Sequence, residues 1–300
     1  QGITENLHVQ GHLVFWDELR RRNPNLHLDS CASGGRRNDL ETMRRSVPLL
    51  RSDWSVVDLR EKPLQIEGNQ AQTYGLSSWL PWQGAGVPFF KDSYAVRSYY
   101  ITGFGMVTPG WTKTPESIAA VRKGYAECRR IAALMLGDYY PLTPYSLDTT
   151  SWIAWQFHRT DLSEGIVQAF RRPDAASHTL TVKLHGLVPQ QRYEIENLDG
   201  GKEARTGAEL MRGHAITLRD KPAAAVLVLA GVQLLVIGMI GEYLGSMFLA
   251  VNRKPQYLVR EVFRRGPGPG GLDIERPKVD TRAAGQPHRE PSHEPDRKES

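Results

Sequence analysis

The 300-residue sequence predicts an α/β region followed by an antiparallel β region. Up to about Tyr145, short apolar runs alternate with helix-like stretches, an order that favours βαβ units in a parallel sheet or barrel. Beyond Ser146, short runs of alternating polarity are divided by turn residues, as in an antiparallel sandwich. We therefore expect residues 1–147 to form part of an α/β domain and residues 148–229 a β-domain.

The first region opens on "GHLVFWDELRRRNP", which predicts a helix with one apolar face that stops at Pro24. "LHLD" predicts a buried strand, "NDLETMRRSV" a helix with acidic residues in its first turn, and "PLLRSD" a second strand. The longest helix is expected over Thr114–Leu136, with Thr114 as N-cap and Pro115 at the first helical position.

Six runs predict strands in the second region. Turn residues in "RPDAAS", "VPQ" and "DGG" divide them at the spacing of a sandwich. The six runs are "SWIAWQFHR", "GIVQAFRR", "HTLTVKLHGL", "QRYEIENL", "HAITLR" and "AAAVLVLA".

Charge and cysteine content exclude some classes of function. A net charge of +5 is small for this length and the arginines are scattered, so nucleic-acid binding is not favoured. Cys31 and Cys128 are too few to define a disulfide framework and leave the redox compartment open. The chain starts at Gln1 without a signal peptide, so a cytoplasmic and a secreted location both stay open.

The C-terminal part changes character twice. Residues Ala223–Ile240 are uncharged and just long enough to be a transmembrane candidate through about 223–250. The alternative is a buried sandwich strand that runs into an amphipathic helix, so we expect a helical segment over 230–265. Residues 266–300, rich in Pro, Gly and mixed charge, are expected to be a disordered tail.

Two acids lie where predicted strands end. Within "LDSCASGGRRNDLETMRRSVPLLRSDW", Asp29 follows the first strand and Asp53 follows the second. In a (β/α) barrel the active site lies at the C-terminal ends of the strands. Glycosidic cleavage needs two carboxylates, one to protonate the leaving oxygen and one to attack the sugar or activate water. This stretch is therefore a candidate catalytic rim.

The turn between these acids has its own chemistry. Gly34 and Gly35 allow a close approach of the backbone to a polar ligand, and Arg36 or Arg37 could orient hydroxyl groups. On spacing alone, a plain glycine turn with Asp39 as a helix cap explains the stretch at least as well.

Smaller signals are weaker. Trp79, Trp82 and Trp111 fall in rim loops and could stack on sugar rings, although packing roles are commoner for any one of them. His8 and His12 are spaced i, i+4 without a third ligand nearby, so we expect no metal and no cofactor.

The segment "ITENLHVQG" through "RSDW" resembles the late barrel segment of glycoside hydrolase family 36 and its clan D relatives, the α-galactosidase type. "CASGGRRND" followed by "RSD" is the specific match, and "TYGLSSWLPWQGAG" and "VTPGW" resemble the next rim segments. The resemblance covers about Gly2–Leu229. It implies the C-terminal part of a (β/α)8 TIM barrel, then an antiparallel β-sandwich, and a retaining exo-glycosidase that acts on terminal α-galactosides without a metal.

The resemblance also implies residue roles. Asp53 matches the general acid/base, and Cys31 and Gly34 match residues that contact the hydroxyls of galactose. Gly35 and Asp39 match the turn and hold its shape. The expected substrate-binding residues are Cys31, Gly34, Asp29, Arg36 and Trp79.

Two departures from the family pattern stand out. Ala32 and Ser33 replace the commoner Ser-Gly, which leaves the sugar preference open. The family nucleophile, an Asp in a Lys-x-Asp-x-Asn strand, has no counterpart here except "KVDTR" around Asp280, a chance match in the tail. We therefore expect the chain alone to be inactive and poorly stable.

A second resemblance covers Gly231–Val262, which is similar to the C-terminal membrane segment of polyprenyl-phosphate glycosyltransferases of family 2. No nucleotide-sugar domain accompanies it, so no transferase activity is implied. Glu242 would lie at a membrane interface or against a partner helix. Because "AAAVLVL" must pair inside the sandwich and leaves no residues for a crossing, a chimeric reading frame joined near Ala230 is the favoured explanation.

The leading interpretation is a fragment of an α-galactosidase-like hydrolase whose partner is an α-galactoside or a related oligosaccharide. Its competitor is a membrane-tethered, non-catalytic module that binds carbohydrate or has a structural role. The sequence leaves the oligomeric state open.

Overall fold

The computed structural model describes residues 2–55, 65–88, 90–106, 113–232, 242–248, 262–265 and 272–275. The chain divides into two compact units, residues 1–236 and 237–300. The helices of the first unit are α1 (Gly2–Arg22), α2 (Ala32–Gly35), α3 (Leu40–Met43), α4 (Gln65–Leu76), α5 (Ser93–Arg97), α6 (Pro115–Ile131) and α7 (Gly207–Arg212). Its strands are β1 (Gly84–Val87), β2 (Gly103–Met106), β3 (Asp138–Pro141), β4 (Trp152–Arg159), β5 (Glu164–Arg171), β6 (Thr179–Val182), β7 (Arg192–Asn197), β8 (Lys202–Thr206), β9 (His214–Thr217) and β10 (Ala223–Gly231).

Helix α1 has an exposed N-terminal half, while Leu13, Trp16 and Leu19 of its predicted apolar face are half-buried. The predicted helix is confirmed and ends before Pro24, but none of its residues is buried. Asp17 accepts hydrogen bonds from the Arg45 guanidinium at 2.7 and 2.8 Å, which joins α1 to the segment that follows α3. The contacts of α1 with the rest of the unit are thus partly polar, and the apolar residues of its N-terminal half stay accessible.

The two strands predicted around the glycine turn do not form as expected. Only Asp29 of "LHLD" makes a parallel bridge, and its partner Val47 was predicted as the end of the helix "NDLETMRRSV", which forms only over Leu40–Met43. The residues of "PLLRSD" form no regular strand. The hydrogen bonds of the bridge run from the Ser30 amide to the Val47 carbonyl and from the Val47 amide to the Leu28 carbonyl, both at 2.9 Å. Pro48 follows at once and has no amide to donate, so the ladder cannot continue regularly.

The next segments continue the sheet in chain order. The Gly84 amide donates to the Pro48 carbonyl at 2.7 Å, and the Gly84 carbonyl accepts from the Arg51 amide at 3.1 Å. Strand β1 then pairs in parallel with β2, Gly84 opposite Gly103. Neighbouring segments that follow one another side by side are the pattern of successive βα units.

Helix α6 agrees closely with its sequence signals. Thr114 is the N-cap in a reciprocal capping box with Ser117, and Pro115 is the first helical residue. The α-helix ends at Ile131 and a 3-10 turn over Ala132–Leu136 completes the predicted span. Its capping residues could be read directly because a cap depends on local sequence alone.

The second region is antiparallel, as predicted. Six strands pair in the order β3-β4-β5-β10-β7-β8, and β6 pairs with β9 in a second sheet. All six predicted runs form strands, while β3, β8 and α7 were not foreseen. Strand β3 precedes the predicted boundary at Leu147.

The six-stranded sheet has a core on each face. One face, with Val167, Leu227 and Leu229, packs with residues of the small sheet such as Val182 and Ile216. The other face contributes to a core shared with α5 and α6, whose members include Trp155, Phe157, Ile166, Phe170, Val226, Tyr94, Ile131 and Met135. The sheet therefore joins the α/β region to the β-domain.

The predicted transmembrane helix is wrong over Ala223–Gly231, the first part of the predicted span. Residues Ala223–Gly231 form β10, which pairs with β5 on one side and β7 on the other. A strand held between two neighbours cannot also enter a spanning helix. None of the helices in the described part of the chain is long and apolar enough to cross a membrane. Residues 233–241 lie outside the described residues.

The second unit contains a short helical stretch at 242–248, where Glu242 lies at the exposed start. Strand β11 (Val262–Arg265) pairs antiparallel with β12 (Leu272–Glu275). The helix predicted up to residue 265 and the disordered tail predicted from 266 are therefore wrong at these strands. The alternation in "LDIE" has the period of a strand, which outweighed the surrounding Pro and Gly.

Candidate functional site

The glycine turn and Asp53 lie against each other. Asp53 is exposed and begins a one-turn 3-10 helix directly after the 47–51 segment. Gly34 has a φ of +75°, and a Cβ atom there would collide with the Asp53 carboxylate. Only glycine permits this approach, because it tolerates the left-handed conformation and leaves the space empty.

A second contact fixes the same two segments. Gly35, at a φ of +85°, leaves no room for a side chain because a Cβ would meet the Arg51 carbonyl. The Asn38 side chain donates to that carbonyl at 3.1 Å. Cys31, half-buried, opens the turn, and its carbonyl accepts from the Gly35 amide at 2.7 Å. The structure thus brings Gly34 and Asp53 together, with Cys31 at the start of the same turn.

Arg51 anchors the segment that carries Asp53. Its side chain is 1% exposed. One Nη donates to Gln83 at 2.8 Å, and the other donates to the Asn69 side chain at 2.9 Å and to Thr73 at 2.8 Å. Burial lowers the pKa of Arg51 to about 9. The carboxylate of Asp53 is therefore presented from a backbone tied to α4 and to the residue before β1.

The carboxylates of Asp29 and Asp39 accept hydrogen bonds from backbone amide groups. Asp29 accepts from the Leu49 amide at 3.0 Å. Asp39 caps α3, accepting from the Thr42 amide at 2.9 Å and the Thr42 hydroxyl at 2.8 Å. Burial raises the pKa of Asp39, hydrogen bonds from Thr42 lower it, and the net shift is downward. Both carboxylates shape the turn.

Among the described residues, the arginine and tryptophan candidates form no hydrogen bond or ion pair with Asp53. Arg36 is exposed at the end of α2, and Arg37 contacts the His12 ring at 3.3 Å. Trp79 and Trp82, 41% and 43% exposed, lie in the loop from α4 into β1. Asp53 instead follows the 47–51 segment, so these tryptophans and Asp53 belong to different connections of the chain. Trp111 lies outside the described residues.

The buried polar residues around Arg51 were not predicted from the sequence. Helix α4 buries Gln65, Glu67, Asn69, Gln70 and Thr73 together with Ala71. Asn69 donates to the Ser98 carbonyl and Gln70 to the Ser98 hydroxyl at 2.9 Å. The one available signal is the absence of an apolar stripe in "QIEGNQAQTYGL".

The chemistry open to this arrangement is proton transfer. An exposed carboxyl group can, in its protonated form, donate a proton to a leaving oxygen that lies beside it, and in its ionised form take a proton from water. The Asp53 carboxylate occupies the space where a Cβ atom of residue 34 would lie. A retaining glycosidase also needs a second carboxylate about 5–5.5 Å from the first.

Comparisons with known proteins agree with this description. The model of the glycosyl hydrolase family 36 C-terminal domain matches residues 152–217. The α-galactosidase AgaA of Geobacillus stearothermophilus is 27% identical over an alignment of 215 positions that covers 68% of this chain and 28% of AgaA. An AgaA crystal structure in complex with raffinose superposes with a TM-score of 0.59 at 23% identity, covering 72% of this chain and 30% of that one. This second likeness concerns the fold.

The C-terminal resemblance also finds a counterpart. The SfII prophage-derived bactoprenol glucosyl transferase of Shigella flexneri is 40% identical over 43 residues, 14% of each chain. The chain thus spans less than a third of each of these relatives. Its resemblance to glycosyl hydrolase family 36 is confirmed, with residues 152–217 as the family's C-terminal domain, beside a short bactoprenol glucosyltransferase-like stretch.

Proposed function

We propose that the chain supplies the general acid/base part of a retaining α-galactosidase-type site. The observation that carries this proposal is the contact of Asp53 with Gly34, where a side chain at position 34 would displace the carboxylate. The parallel order of the segments up to β2 supports their place in a (β/α)8 barrel. The likeness to AgaA supports α-galactosides as the substrate class.

In this mechanism Asp53 protonates the glycosidic oxygen and later takes a proton from the attacking water. Cys31 and the Gly34 backbone line the place of the sugar hydroxyls. This mechanism also needs a nucleophilic carboxylate, which the family pattern puts in a Lys-x-Asp-x-Asn strand, a pattern that the sequence does not contain. The chain alone therefore does not turn over substrate.

A complementation assay tests the assignment. The chain is co-refolded with the part of AgaA that precedes the matched region, and hydrolysis of raffinose and of 4-nitrophenyl α-galactoside is followed. We expect no turnover by the chain alone and turnover by the mixture. Asp53→Asn should lower the raffinose rate roughly 10²–10⁴-fold and the nitrophenyl rate less, because nitrophenolate needs no proton to leave.

Asp161→Asn is the matched control, because Asp161 is an exposed acid paired with Arg159 in the β-domain. It should leave both rates unchanged. Raffinose turnover by the Asp53→Asn mixture at the unsubstituted rate would contradict the role of Asp53. Turnover by the chain alone would contradict the need for a second part.

We further propose that residues 237–300 take no part in the hydrolase. They form a separate compact unit, and β10 completes the six-stranded sheet before it begins. A chain that ends at residue 236 should keep the melting temperature of the full chain. A marked loss of stability on truncation would make the C-terminal unit part of the hydrolase fold.

A further inference from the structure

A cleft of about 280 Å³ opens in the β-domain between the β7–β8 hairpin and β9. Its floor is aliphatic, formed by Ile195, Ile216 and Leu227, each 4–5% exposed. Its polar wall includes His214 and Glu203. All of its lining residues lie between 195 and 227, so the cleft is separate from the glycine turn and Asp53.

An unsatisfied nitrogen lies in the wall of this cleft. His214 is 6% exposed, and its Nδ1 atom is buried without a hydrogen-bond partner. The nearest carboxylate oxygen, Oε1 of Glu203, is 3.6 Å away, which is too far for a hydrogen bond. Burial lowers the pKa of His214, so the ring is neutral near pH 7. An unsatisfied buried nitrogen is destabilising unless some group reaches it.

The rim of the cleft has no excess charge to attract an ion. Lys202 donates to Glu194 at 2.7 Å and lies 3.6 Å from Glu196. Glu203 in turn accepts from Arg205 at 2.8 Å. Because these charges are already matched, an ionic ligand would have to break an existing pair. The cleft favours a neutral ligand.

Hydroxyl groups suit the histidine and carboxylate pair. A hydroxyl donates one hydrogen bond and accepts others, so a single one can contact both Nδ1 of His214 and the Glu203 carboxylate. The aliphatic floor matches the C–H face of a sugar ring. The cavity lies at the lower end of the roughly 300–1,000 Å³ of small-molecule pockets, which suits one ring rather than an oligosaccharide.

We propose that this cleft binds a single neutral hexose unit, recognised through its hydroxyls by His214 and Glu203 and through its C–H face by the aliphatic floor. Binding here is independent of Asp53 and of hydrolysis. The β-domain would hold a sugar even where the barrel is incomplete.

Methyl-resolved NMR on the full chain tests this site. D-galactose and D-glucose are the probes, and inorganic phosphate is the charged comparison. We expect saturable shifts of the Ile195, Ile216 and Leu227 methyl signals with a Kd of roughly 1–10 mM for at least one hexose, and none with phosphate. Absence of hexose shifts, or stronger binding of phosphate, would overturn the proposal.

Variants locate the binding. His214→Phe and Glu203→Gln should each weaken it about tenfold or more. The side chain of Glu203 is 43% exposed, so its isosteric replacement does not endanger folding. His178→Phe, at an exposed histidine of the same domain, and Asp53→Asn should leave the Kd unchanged. Hexose binding that persists in both cleft variants, or that is lost in Asp53→Asn, would refute this location.

Discussion

Helix α4 and strand β10 are both buried, but they are built from opposite kinds of residue. The buried face of α4 is polar apart from Ala71, whereas the buried residues of β10 run from Ala224 to Leu229 and are all apolar. An apolar side chain in a core needs only matching volume, while each buried polar group needs a specific partner. The two elements therefore place different demands on the rest of the chain.

The partners of α4 come from distant parts of the sequence. Arg51 lies 18 residues from Asn69, Ser98 lies 28 from Gln70, and the Arg172 guanidinium reaches Gln70 from 102 residues away at 3.0 Å. These contacts connect the site segment, α5 and the β-domain. Polar burial here specifies one arrangement of three segments, whereas the apolar faces around β10 supply most of the driving force for folding.

The largest loss of stability is expected from a substitution in the apolar core beside β10. Trp155→Ala removes a fully buried ring from the core shared with α5 and α6 and leaves the Gln168 side chain without its 2.8 Å donor. We expect a loss of about 3–5 kcal/mol in the free energy of unfolding. Denaturant unfolding measures it. Trp79→Ala, at an exposed tryptophan, should cost less than about 1 kcal/mol, and equal losses would refute the assigned core.

A smaller loss is expected where the burial is polar. Arg51→Met deprives Gln83, Asn69 and Thr73 of their donor. We expect a loss of about 1–3 kcal/mol, measured by the same unfolding experiment. Arg51→Lys should recover little of the stability lost in Arg51→Met, because an ammonium group cannot reproduce the planar, forked donor geometry of the guanidinium.

Arg122→Met, at an exposed position of α6, is the control for this variant and should be near neutral. A neutral Arg51→Met would mean that the polar interior around α4 does not hold the site segment. Full rescue by lysine would mean that charge alone matters there.

The same contrast explains what the sequence could predict. Strands such as β10 and the cap of α6 were read correctly, because alternation, apolar runs and capping residues are local signals. The short bridge at Asp29 could not be foreseen, since it depends on Pro48 and on the distant Gly84. The family motif assigned separate roles to Gly34 and Asp53, but their approach was not predicted, and spacing alone explained the stretch at least as well by a plain turn. The hydrogen-bond partners of Arg51 could not be predicted from a local pattern, because Asn69, Thr73 and Gln83 are distant from it in the sequence.

The buried ring of His158 should make the free energy of unfolding depend on pH. His158 is 1% exposed in β4, and burial lowers its pKa. Folding thus favours the neutral ring, so this contribution is complete above the unfolded pKa of about 6.5 and is lost as the pH falls through the folded pKa. We expect the unfolding free energy to decrease below pH 6.5, by no more than about 1.4 kcal/mol per pH unit for this group.

Urea unfolding between pH 5 and 7.5 measures this slope. His158→Gln should flatten it, and His178→Gln, at an exposed histidine, should not. An unchanged slope in His158→Gln would show that this ring is not the group that titrates.

The smallest change in the free energy of unfolding is expected at the exposed ion pair between α6 and β7. Arg130 donates to both oxygens of Glu196 at 2.7 and 2.6 Å, and this hydrogen-bonded pair lowers the pKa of Glu196 to about 2. The contribution is present above the unfolded pKa of about 4.3 and is lost as the pH falls towards 2. Arg130→Gln should raise the pKa of Glu196 towards its ordinary value in an NMR titration, while changing the unfolding free energy by less than about 1 kcal/mol, because Arg130 is half exposed. A large loss of stability would mean that this ion pair, rather than the shared apolar core, holds the two regions together.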